Sequence, residues 1–111
     1  MSHDEVARDA VDGAQVPIGD LVDRLAAFSD ATRLELLIAI HAAPGCSVTN
    51  LAAATGLAPN TVSQALESLR RSGLVTRQRQ GRLSCWTMQD QAGHDLLHHL
   101  GAPHSELHPP H

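Results

Sequence analysis

The stretch Pro59-Asn60-Thr61-Val62-Ser63-Gln64-Ala65-Leu66-Glu67-Ser68-Leu69-Arg70-Arg71-Ser72-Gly73 decides how this chain is read. Proline suits the first helical turn, where its missing N–H costs nothing, and glycine suits the position just past the last turn. Val62, Leu66 and Leu69 recur at helical spacing and form the stripe to be buried. Asn60, Thr61, Ser63, Gln64, Glu67, Ser68 and Arg71 point elsewhere. Upstream, Ser47 can cap a short Ala-rich helix that ends at Gly56. Gly56-Leu57-Ala58 then connects the two. Two short helices joined by a Gly-containing turn, the second polar on its outer face, make a helix-turn-helix.

Downstream of Gly73 the period switches to two. Leu74 to Gln80 and Arg82 to Met88 are predicted as strands around a Gln80-Gly81 turn that needs positive φ. The tip, Arg77-Gln78-Arg79-Gln80-Gly81-Arg82, is too polar to be buried, so the hairpin reads as a wing. A last helix from about Asp90 to Leu100 carries Leu96, Leu97 and Leu100.

Upstream, Asp30 is an N-cap for a helix whose Leu34, Leu37, Ile38 and His41 share a face, stopped by Pro44-Gly45. Another helix runs from Pro17 to about Phe28 with Leu21, Val22, Leu25 and Ala26 on one side. Residues 1–17 hold a short stripe (Val6, Ala7, Ala10, Val11), a marginal helix that needs a partner surface. The predicted fold is mostly α with a small β-hairpin, a winged helix-turn-helix in the order α-α-α-α-α-β-β-α. Residues 1–17 form an arm, 18–100 the domain, and 101–111 a His- and Pro-rich flexible tail.

A chain of 111 residues suits one domain. No 18-residue apolar run and no basic-then-apolar leader occurs, so neither a membrane span nor a signal peptide is expected. Cys46 and Cys85 are too few and too scattered for a disulfide framework, which suits the cytoplasm. The net charge of −4 hides an asymmetry. Residues 59–88 hold five arginines (Arg70, Arg71, Arg77, Arg79, Arg82) against Glu67 alone, a net of +4. The rest holds three arginines against eleven acids, a net of −8. A basic segment on an acidic body is the pattern of a face that meets phosphate.

The segment Phe28-Ser29-Asp30-Ala31-Thr32-Arg33-Leu34 resembles the "L-x-D-x-T-R" opening of ArsR/SmtB metalloregulators. The likeness continues through Leu51-Ala52, Thr61-Val62-Ser63-Gln64-Ala65-Leu66 and Leu69-Arg70-Arg71-Ser72-Gly73-Leu74-Val75, and ends at Gln80-Gly81-Arg82. It covers roughly residues 18–100, with the motifs in order. The resemblance implies a homodimer through the N- and C-terminal helices, with two recognition helices entering successive major grooves of an imperfect palindromic operator in double-stranded DNA. It also implies a metal ion or similar effector that alters DNA affinity, and it leaves room for an accessory regulatory protein. Four departures stand out. Ser47-Val48-Thr49 replaces the "C-V-C" metal site of many relatives. Glu67 stands where relatives usually carry a basic or neutral residue, Gln64 stands where a His is common, and Ala58 is a poor helix cap in place of the frequent Ser.

Asn60, Thr61, Ser63, Gln64 and Ser68 are the side chains of the right type and place to meet bases or sugar-phosphate, and Gln64 can pair with adenine. Arg70, Arg71, Arg77, Arg79 and Arg82 are the phosphate-contact candidates, one or two of which also suit intramolecular pairs. An ordinary solvated helix face is the plain alternative.

Six of the eight histidines fall in the last 18 residues. Asp90, His94 and His98 are spaced four apart and form one stripe along the last helix. Imidazole and carboxylate suit Ni(II), Co(II) or Zn(II), while the lack of paired thiolates argues against copper(I) and cadmium. Relatives without the cysteine pair bind metal between the two C-terminal helices, through an Asp-x-His pair and a His-x-x-His pair. Against that pattern Asp90 matches, Ala92 replaces the first His so that His94 must substitute, and His104, Glu106 and His108 resemble the second half shifted by about one residue. His3 adds an N-terminal amine, amide and imidazole set suited to nickel, as in the nickel-responsive SrnR-type members. Adventitious metal binding by the tail is the plain alternative, and His41, on an apolar stripe, reads as structural.

Nothing pairs a nucleophile with a base and no phosphate loop occurs, so no enzyme is expected. Other readings are a regulator without metal response, controlled by a redox change at Cys46 or Cys85 or by a partner, a His-rich nickel or zinc storage protein, and a protein-interaction module.

Overall fold

The computed structural model describes residues 2–13, 17–89 and 91–99, apart from the side chains of residues 92, 94, 98 and 99. Its elements are α1 (His3–Asp12), α2 (Ile18–Phe28), α3 (Ala31–Ala42), α4 (Val48–Thr55), α5 (Pro59–Arg71), β1 (Val75–Gln80), β2 (Leu83–Met88) and α6 (Gln91–His99). Their order is the predicted one.

Side-chain oxygens start the helices where the sequence places them. The Asp30 carboxylate accepts from the Arg33 N–H at 3.0 Å. Ser47 Oγ accepts from the Asn50 N–H at 3.1 Å while Asn50 Oδ1 accepts from the Ser47 N–H at 3.1 Å, so two otherwise orphaned donors are satisfied reciprocally. Gly56, at φ +75, takes the left-handed turn that ends α4. Ala58 opens α5 without a side-chain bond, leaving Pro59 to set the first turn.

Leu36, Leu37 and Ile40 of α3, Leu51 of α4, and Val62, Leu66 and Leu69 of α5 are fully buried, and Leu74, Val75, Trp86 and Leu97 close the same core. Each such side chain removed from water is worth about 1.5–3 kcal/mol. The stripe predicted for α5 is therefore the buried one. The stripe predicted for α3 is half right: Leu37 and His41 are buried, but Leu36 and Ile40 join them, while Leu34 and Ile38 are only half-buried. Since α3 packs against α2, α4, α5, β2 and α6, it buries more than one face.

On α2 the apolar side looks outward. Val22 and Leu25 are each 58 % exposed and Ile18 is 53 % exposed. Ala27 is the buried residue of this helix.

The strands are antiparallel, running from Val75 opposite Met88 to Gln80 opposite Leu83. The loop is Gly81-Arg82, one residue later than predicted, because only its first position, Gly81 at φ +64, needs the left-handed region. That pattern belongs to a II′-type hairpin. The α3–α4 loop anchors the hairpin: the Trp86 N–H donates to Cys46 O and the Gly45 N–H to Trp86 O, both at 2.9 Å. The two cysteines, distant in sequence, are thereby drawn together, since Cys46 lies opposite Trp86, the neighbour of Cys85. Both thiols are free. Among the described residues no helix is long and apolar enough to cross a membrane.

Candidate nucleic-acid interface

Helical spacing sorts α5 into two sides. Val62, Leu66 and Leu69 face the core, so Asn60, Gln64, Glu67 and Arg71, four, three and four apart, lie along the opposite side. Asn60, Gln64 and Arg71 are exposed and Glu67 is half-exposed. Thr61 and Ser63, also exposed, flank this line near the start of the helix. Ser68 is different. It is half-buried, and its hydroxyl takes a long contact of 3.5 Å from Arg33 Nη1, which ties α5 to the start of α3. Arg33 in turn lies 3.6 Å from Asp30. No sequence pattern signals that tie, because the two residues are 35 positions apart.

Arg70 is held within its own helix. Its Nε donates to Glu67 Oε2 at 3.1 Å, and its Nη2 to the other carboxylate oxygen. The Arg70 hydrogen bond is the main reason that the Glu67 carboxyl titrates below the usual carboxylate range, with the charges of Arg70, Arg71 and Arg77 adding to it. Arg70 therefore forms an intramolecular pair of the kind expected of one or two arginines in the set.

The hairpin contributes the remaining cations. Arg77 lies opposite Trp86 and Arg79 opposite Ser84. Strand alternation puts Val75, Arg77 and Arg79 on one face. Val75 and Trp86 are buried on that face, so the two arginines continue outward from the side that packs on the helices. The Arg77 guanidinium lies 6.0 Å from the centre of the Trp86 ring, at the limit of a cation–π contact, and its charge also reaches Glu67. Arg82 is exposed in the turn. Trp86 is the residue that composition undersold. Buried in the core, it lies opposite Arg77 across the hairpin, and only the strand register reveals this.

The metal candidates fare differently. His3 is exposed on α1. The backbone of α6 spans His94 and His98, but their side chains, with Asp90, His104 and His108, lie outside the described residues. Among the described residues no three potential metal ligands converge. Those residues alone do not make a site that fits an ion. His41 is fully buried in α3, in keeping with a structural role.

Residues 29–76 match a family model described as winged helix-turn-helix DNA-binding. Over 58 residues the chain is 45 % identical to a protein named as a putative arsenical resistance operon repressor, from Halobacterium salinarum, covering 51 % of this chain and 49 % of that one. Residues 29–76 carry a winged helix-turn-helix DNA-binding domain, and the chain is similar to a repressor of the ArsR type. It spans about half the length of that curated relative. Its fold is also similar to the crystal structure of a transcriptional regulator, HlyU, from Vibrio vulnificus, at 28 % identity and a TM-score of 0.70, covering 86 % of this chain and 97 % of that one. A homodimeric winged helix-turn-helix DNA-binding domain from Mycobacterium bovis shares the fold at 21 % identity and a TM-score of 0.69, covering 90 % and 83 %. These relatives are named as regulators, not as enzymes. In a winged helix-turn-helix, α4 and α5 form the helix-turn-helix and β1–β2 the wing.

Proposed function

We propose that this protein is an ArsR-type regulator that binds double-stranded DNA as a homodimer and regulates transcription. The observation that carries this reading is the shared surface of α5 and the wing. Asn60, Thr61, Ser63, Gln64, Arg70 and Arg71 are exposed on α5, and Arg77, Arg79 and Arg82 are exposed on the hairpin that packs against it, in a stretch whose only acid is Glu67. A major groove about 12 Å wide accepts such a helix, and the arginines suit the flanking phosphates. Ser68, drawn toward Arg33, reaches a phosphate or sugar rather than a base. Two exposed apolar surfaces support dimerisation: Val6 and Val11 on α1, and Ile18, Val22 and Leu25 on α2.

The test is selection from duplexes with a randomised core. Retained sequences are expected to contain two related half-sites about 10–10.5 base pairs apart, the spacing of successive grooves. Failure to retain any duplex would overturn the proposal.

Control by a transition metal, Ni(II) before Zn(II) or Co(II), is part of the same proposal. His94 and His98 lie four residues apart on α6, which suits a chelating pair, and His3, Asp90, His104 and His108 would complete the donors. Metal shared between two C-terminal helices would change DNA affinity roughly 5–150-fold. Equal affinity with and without each ion would leave control to an accessory protein or to the cysteines.

A further inference from the structure

We propose that Glu67 is a specificity-determining residue: it restrains binding to arbitrary duplex and accepts a cytosine amino group in the major groove. The inference rests on the DNA-binding reading above and deepens it.

Glu67 is the sole acid among residues 59–88, and it does not stand at the edge of the cationic surface. It lies on the line Asn60–Gln64–Glu67–Arg71 along the outer side of α5, one turn beyond Gln64. A helix that brings Gln64 to base edges therefore brings the Glu67 carboxylate to the same groove. Beside phosphate oxygens or guanine acceptors this anion is repelled. Opposite the N4 amino group of cytosine it accepts a hydrogen bond, the pairing that base geometry allows an acidic side chain.

In the protein alone, the carboxylate is satisfied by Arg70 through both of its oxygens, with Arg71 and Arg77 as the further charges acting on it. That arrangement has a second consequence. While Arg70 serves Glu67, one fewer guanidinium fork is available to a phosphate. The free protein thus carries a built-in competitor for DNA backbone, and sequence-independent attraction is weakened at the place where base reading occurs.

The alternative is an ordinary helix-stabilising pair three residues apart, which would leave base preference untouched. Glu67→Gln separates the two. Glutamine is nearly isosteric and uncharged, releases Arg70, and can serve adenine as well as cytosine. Wild type, Glu67→Gln and Arg70→Ala are each titrated with an unselected pool of randomised duplexes between about 50 and 200 mM salt, and each is put through selection. Thermal unfolding followed by circular dichroism checks that all three are folded.

Glu67→Gln is expected to bind the unselected pool several-fold more tightly, with a log–log salt slope steeper by about 0.9 per subunit, hence about 1.8 for the dimer, for the one phosphate gained by each subunit. Its selected sequences are expected to lose the cytosine preference at one position per half-site, a discrimination on the order of tenfold or more in wild type. Arg70→Ala is expected to keep that preference while binding the pool more weakly. Unchanged pool affinity and unchanged selected sequences in Glu67→Gln would overturn the proposal. A tighter pool with every base preference intact would overturn the base-reading role. A wild type that retains no duplex would instead overturn the DNA-binding reading itself.

Discussion

The Cys46 thiol is held above its ordinary pKa, first by burial and then by the nearby Cys85. It also donates to Ala43 O at 3.0 Å, so at neutral pH it stays protonated. A thiol with a raised folded-state pKa contributes no penalty while the unfolded chain is also protonated. As pH rises past about 8.5, the unfolded thiol ionises first and stability falls. Alkylation by iodoacetamide near neutral pH is accordingly expected to be at least several-fold slower at Cys46 in the native protein than in denaturant. Equal rates would contradict that placement. Glu67 has the opposite sign. Its lowered pKa makes the Arg70 pair available above about pH 4.3 and lost as pH falls through the lower folded value, although an exposed pair of this kind is worth little to stability. The Glu67–Arg70 pair is legible in sequence, because residues three apart on a helix are neighbours. The Cys46–Cys85 approach is not, because it depends on a single bridge between the α3–α4 loop and β2.

At the scale of elements, α5 is directly readable because its apolar residues recur with one period and its outer residues are uniformly polar. On α3 the apolar residues occur on all sides, so spacing alone does not pick Leu36 and Ile40 over Leu34 and Ile38. On α2 the periodicity correctly marks an apolar face, but periodicity does not say whether such a face meets the core or another chain. The wing is legible from the polar tip and Gly81, whereas the division of labour among its arginines is not. Register sets Arg77 opposite Trp86 and leaves Arg79 opposite small Ser84, while the charge of Arg77 also acts on Glu67. Replacing Arg79 by Ala is therefore expected to weaken binding of every duplex to a similar degree. The same change should flatten the log–log salt slope by about 0.9 for each phosphate no longer neutralised. A base-dependent loss with an unaltered slope would place Arg79 in the groove instead.

For the whole molecule, an outward apolar face on α2 and an α1 with no buried residue are what a chain shows when part of its core is supplied by a second copy. Replacing Val22 and Leu25 together by Glu is expected to yield monomers by sedimentation velocity where the wild type is dimeric, and to weaken operator binding because two half-sites can no longer be held at once. A double variant that still sediments as a dimer would move the interface elsewhere. The charge asymmetry of the sequence marks one face as cationic, and the packing of the wing on α5 joins its two parts into one surface. The central claim is that this surface is what meets DNA, and amide chemical-shift mapping of the protein on addition of a selected duplex tests it most directly. Large shifts are expected from Asn60 to Arg71 and from Arg77 to Arg82, with α3 and α4 core amides little moved. Shifts confined to α1 and α2, with the recognition helix and wing unmoved, would contradict it.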